Sequence, residues 1–75
     1  MEYNLSCKGS ALPCEVTLDE DNGRYMLRNA DSTGQYFNTP QQLVEWIQAN
    51  WRSSDFINPD EFTKMMQEMK NHLNI

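Results

Sequence analysis

Seventy-five residues with eleven acids against six bases make a single domain of formal charge −5, with little room for a second. A chain this short buries only about 60% of the surface it exposes when unfolded. Its negative field repels nucleic-acid phosphates and anionic lipid surfaces at long range, keeps a small protein soluble, and suits a basic partner.

The opening Met1-Glu2-Tyr3-Asn4 is polar and has an acid at its second position. It lacks the basic n-region and apolar h-region of a signal peptide, and no apolar run precedes Leu5-Ser6-Cys7 to make a lipoprotein cleavage box. No stretch approaches the roughly 20 apolar residues that cross a bilayer. A cytosolic chain without a membrane segment, its two thiols reduced, is the expectation.

Tyr3, Leu5 and Cys7 alternate with polar neighbours and suggest a short first strand, broken by Lys8-Gly9-Ser10. Pro13 keeps the next strand from beginning as a central ladder member. Cys14, Val16 and Leu18 then alternate with Glu15, Thr17 and Asp19 as a half-buried strand. Asn22-Gly23 is a strong two-residue hairpin signal of type I′. Taken so, it pairs Leu18 with Leu27 and Val16 with Asn29, with Tyr25 on the same face. Thr17 then opposes Arg28, and Asp19 opposes Met26. Asp31-Ser32-Thr33-Gly34 predicts the next turn, and Gln35-Tyr36-Phe37-Asn38 a third strand.

Two helices follow with one grammar. Thr39-Pro40-Gln41-Gln42 and Asn58-Pro59-Asp60-Glu61 each offer a capping oxygen, a proline at the first helical position, and Gln or Glu at the third. The cap oxygen should bond the N–H at the third position, and the Gln or Glu should reach back to the cap's own N–H. The first helix, Pro40 to about Trp51, spreads Trp46, Leu43, Ile47, Trp51 and Val44 over an arc of roughly 160°. That breadth predicts a helix flanked by the sheet and by the second helix. The second helix places Phe62, Met65, Met66, Met69 and Leu73 within roughly 100°, with Ile57 and Phe62 spaced as a hydrophobic staple. Lys70 and His72 sit in its last turn, where positive charge suits the dipole. The fold class is α+β: a small antiparallel β meander of three strands, with a fourth from the N-terminal segment left open, then two C-terminal helices packed on one face.

No motif with a mechanism stands in the chain. Cys7, Cys14 and the lone His72 fall short of the four close ligands of a zinc site, so two free, partly buried thiols and no cofactor are expected. A Cys7–Cys14 disulfide is geometrically open to the chain but argued against by the inferred compartment. Asp19-Glu20-Asp21-Asn22-Gly23 fails the calcium-loop register, because Gly23 at the sixth position puts Leu18 first and Asn29 twelfth. His72 near the chain's end is poorly held for proton transfer, and the three isolated glycines make no phosphate loop. No catalytic residue and no small-molecule substrate are indicated. Arg24 and Arg28 with Tyr36 or Phe37 could form a basic-aromatic face for nucleic acid. Neighbouring Glu15, Asp19, Glu20 and Asp21 explain those arginines more cheaply as cross-strand ion pairs. The remaining reading is a non-catalytic domain that binds another protein or itself. Trp46, at the margin of the wide arc beside Glu45 and with Val44 at the other margin, is the candidate contact.

Overall fold

Alternation of apolar and polar residues builds the first half of the molecule. The computed structural model describes all 75 residues, Met1–Ile75. Strands β1 (Glu2–Leu5), β2 (Cys14–Asp19), β3 (Arg24–Arg28) and β4 (Gly34–Phe37) form one antiparallel sheet in the order β1-β2-β3-β4. The N-terminal segment is thus a full fourth strand, with Leu5 opposite Cys14. Helices α1 (Pro40–Asn50) and α2 (Pro59–Leu73) follow, joined through a 3-10 turn at Ser53–Asp55. Both lie on one face of the sheet, α1 against β3 and β4 and α2 against β1. Leu5, Cys14, Val16, Leu18 and Leu27 from the sheet meet Leu43, Val44 and Ile47 of α1 and Phe62, Met65, Met66 and Met69 of α2. No helix is long and apolar enough to cross a membrane.

The β2–β3 hairpin departs from its expected register by two residues. Asp19 opposes Arg24, Thr17 opposes Met26 and Glu15 opposes Arg28, which leaves a four-residue loop, Glu20-Asp21-Asn22-Gly23. Only Gly23 has positive φ, at 63°, so the type I′ turn does not form. Two forces explain the change. The Asp19 carboxylate accepts hydrogen bonds from the Asn22 N–H (3.4 Å) and side-chain amide (2.8 Å), which fastens the loop locally. The register also sets opposite charges across the strands, with Arg28 and Glu15 in an ion pair at 2.7 Å. A slip of two residues keeps every side chain on its face, so Val16, Leu18 and Leu27 remain in the core as expected.

The helix starts also differ in detail. The Thr39 hydroxyl accepts from the Gln42 N–H at 3.2 Å, but the Gln42 side chain takes the N–H of Asn38 (3.1 Å) rather than that of Thr39. The Asn58 side chain accepts from Asp60, one position earlier than expected. Ile57 is 64% exposed and makes no staple. Phe56 takes that place, buried and stacked on Phe62.

Candidate functional site

Four groups of side chains carry chemistry or exposed apolar surface, and each is positioned by a different part of the fold. The first surrounds Trp46. The width of the α1 arc places Trp46 at its edge, half-buried between Phe37 of β4 (ring centroids 6.3 Å apart) and Trp51 (6.1 Å). Trp51, which caps α1, donates its indole N–H to the Asn29 side chain at 3.1 Å and leans on Phe56. Glu45 is exposed beside Trp46. Val44 is 1% exposed, so it belongs to the core and offers a partner nothing to touch. It is buried because α1 lies over β3 and β4 with α2 alongside, so both flanks of the arc are covered near that residue.

The second group is the face of the sheet that the helices leave uncovered. Arg24, Arg28, Met26, Thr17, Glu15, Gly34 and Tyr36 share it by strand alternation and register. Arg28 is held by Glu15, and Arg24 stands opposite Asp19. That pairing offsets the positive charge a phosphate would need. Tyr36, 77% exposed, is the most exposed large apolar side chain in the molecule. It stands on β4, an edge strand whose four residues, Gly34-Gln35-Tyr36-Phe37, include no charge and no proline. No hydrogen bond outside the β3 ladder reaches its backbone. At the opposite edge, β1 carries Glu2 and lies beside Glu61, Lys64 and Glu68 of α2.

The third group is Cys7 and Cys14. Both side chains lie on the helix-facing side of the sheet, 8% and 4% exposed, with their sulfurs 2.6 Å apart. Beyond β1 the chain turns away from β2 to pair with the α1–α2 connector: Ile57 donates to Ser6, and Lys8 donates to Asp55. That bend carries the Cys7 sulfur across to Cys14. Cys7 and Cys14 form part of the wall of a cleft of about 580 Å³ shared with Ala30, Asp31, Trp51 and Phe56. Burial pushes the Cys14 thiol up to about 12, with the hydrogen bond and charge of Cys7 acting in the same direction. The sequence left a contact between them geometrically open, and because diagonal neighbours in a regular sheet stand roughly 7–8 Å apart, it is the bend after β1 that closes the distance.

The fourth is His72, which reaches from the last turn of α2 to the Glu20 carboxylate at the hairpin tip. Both partners are half-exposed, and the contact ties the helix end to the sheet. No group of three or more His, Cys, Asp and Glu side chains is gathered where it could hold a metal.

No family model matches the chain, and no curated protein or solved structure matches it significantly.

Proposed function

We propose that this chain is a small, acidic, non-catalytic domain of the cytosol that works by binding another protein, and that it takes an extended segment of its partner along β4. The observation that carries this reading is the undefended edge. Sheets protect their open strands with charges, prolines or covering elements. β1 carries Glu2 and has further charges beside it, while none of the four residues of β4 is charged. A strand added to β4 would gain main-chain hydrogen bonds and meet Tyr36 on one side and Phe37 with Trp46 on the other. Glu45 and the overall charge of −5 favour a basic segment. Tyrosine and tryptophan flanking one strand are also the residue types that anchor interfaces.

A Tyr36→Lys variant tests this reading, because one charge blunts an edge strand without disturbing the core. Wild-type protein immobilised on a matrix should capture a partner from the native cell, and Tyr36→Lys should weaken that capture at least about tenfold, roughly the loss of one interface anchor. A Lys64→Ala control on α2 should retain it. Equal capture by wild type and Tyr36→Lys would overturn the β4 assignment. A concentration-dependent dimer abolished by Tyr36→Lys would make the partner a second copy of this chain. Binding of single-stranded nucleic acid, lost in an Arg24→Ala/Arg28→Ala variant, would favour the basic-aromatic face instead.

A further inference from the structure

We propose that Cys7 and Cys14 form a redox-responsive dithiol, closed to an intramolecular disulfide by exchange with a small-molecule disulfide of the glutathione class that enters through the adjoining cleft. Three observations meet here, and none depends on how the domain binds a partner. The only two cysteines of the chain face each other with sulfurs 2.6 Å apart. They line a cleft of about 580 Å³ that opens to solvent, with Lys8, Asp31 and Asp55 at its wall. The intervening loop is largely exposed and includes Gly9 at φ 73°, so it can adjust as the two sulfurs close.

The exchange runs in two balanced steps. The Cys7 thiolate attacks one sulfur of glutathione disulfide, whose S–S bond breaks. A Cys7–glutathione mixed disulfide forms, and the departing glutathione thiolate takes up the proton that Cys7 lost. The Cys14 thiolate then attacks the Cys7 sulfur, and the second glutathione leaves and is protonated in turn. Two cysteine thiols lose two electrons, and one glutathione disulfide becomes two thiols. Cys7 is the more exposed of the pair and sits at the bend of the chain, which fits it for the first attack. Capping Cys7 leaves its sulfur beside that of Cys14, so the first step keeps the second attack within reach.

The bond would act beyond the sheet. Cys7 forms a β-bridge with Phe56, and Phe56 packs on both Trp51 and Phe62. Oxidation thus fastens the strand that holds the connector between the two helices. In an intracellular glutathione pool such a bond is transient and responds to redox state.

The test uses the 75-residue chain, reduced and then exposed to oxidised glutathione. The intact mass should pass through a single-glutathione adduct and end with the loss of two hydrogens. No thiol should then react with a maleimide in denaturant, and the protein should stay monomeric. Its thermal midpoint should rise on the order of 10 °C, as for a short cross-linked loop in a small domain. Cys14→Ala should stop at the single-glutathione adduct. Should that variant fail to fold, the time course of the wild-type mass still decides the matter. Two persisting thiols, two bound glutathiones, an intermolecular dimer or a lowered midpoint would each overturn the proposal.

Discussion

Phe56 lies stacked on Phe62, with ring centroids 5.0 Å apart and planes 16° from parallel. The contact joins the connector between the helices to the first turn of α2, and it continues a row of aromatic contacts from Phe37 through Trp46 and Trp51. Pairs of this kind add roughly 0.5–1.5 kcal/mol beyond the burial of their area. Both rings are buried, whereas Ile57 between them in sequence faces solvent. Phe56→Ala and Phe62→Ala should each cost about 3–5 kcal/mol, while Ile57→Ala should stay within about 0.5 kcal/mol. Urea denaturation of the three variants measures this ordering. An Ile57→Ala loss as large as that of Phe56→Ala would restore Ile57 as the staple.

What was legible in the chain is what local chemistry controls. Proline after a capping residue marks the start of α1 and α2, and apolar spacing marks the buried stripe of α2. Alternation assigns the faces of β2 and β3. The hairpin register was not legible, because Asn22-Gly23 satisfies two turns of different length. The choice between them falls to the Asp19–Asn22 hydrogen bonds and the Arg28–Glu15 pair. Phe56 was hidden inside a polar connector, since no periodicity operates over so short a segment. The cysteine contact depends on a bend of β1 toward residues nearly fifty positions away, and no local pattern encodes that. Of the candidate contact residues, Trp46 and Glu45 remain accessible. Val44 does not, because the margin of a helical arc says nothing about how far neighbouring layers extend over it.

Gly23 closes the β2–β3 loop at φ 63°, with open space where a Cβ would stand. Any cost of substitution is therefore backbone strain rather than a clash. Gly23→Ala should lose about 1–2 kcal/mol, and Gly23→Asn should lose less because asparagine tolerates the left-handed region. Chemical denaturation compares the two. Equal losses would mean that the loop changes its conformation to admit them.

Stability should fall at both ends of the pH scale for separate reasons. The amide of Asn22 beside Asp19, and the hydroxyl of Thr33 beside Asp31, hold both carboxyls below their usual range. A carboxyl lowered on folding contributes stability above its unfolded value, about 3.9, and loses it as pH falls through the lower folded value. Asp19→Ala and Asp31→Ala should accordingly flatten the acid limb below about pH 4. At the other end, burial raises both the Tyr3 phenol, with Glu68 adding to the effect, and the Cys14 thiol. A raised group contributes stability below its unfolded value and loses it as pH climbs toward the folded one. The reduced protein should therefore weaken from pH about 9 upward, toward the Cys14 value of about 12. Oxidised protein should keep only the Tyr3 part of that loss. Urea midpoints across the pH range, on reduced and oxidised samples, show both limbs.

Trp46 and Tyr36 stand on opposite sides of the β4 edge, and their substitutions should separate stability from binding. Trp46 is half-buried and touches two aromatic rings, so its removal exposes Phe37 and Trp51 as well as deleting its own contacts. Trp46→Ala should cost about 2 kcal/mol, roughly half the loss of a fully buried aromatic. In a domain of this size that is a drop of roughly 8–16 °C in thermal midpoint. Tyr36 projects from the uncovered face, so Tyr36→Ala should change stability by no more than about 0.5 kcal/mol. If β4 receives a partner strand, Tyr36→Ala should weaken capture while leaving the fold intact, and Trp46→Ala should weaken both. Calorimetric or fluorescence melting beside a binding titration of the two variants reads both quantities. Should Trp46→Ala melt like the wild type and still lose the partner, Trp46 would be the principal anchor, with Glu45 beside it on the exposed flank of α1. Should Tyr36→Ala bind as well as the wild type, the uncovered face of the sheet would have no part in recognition.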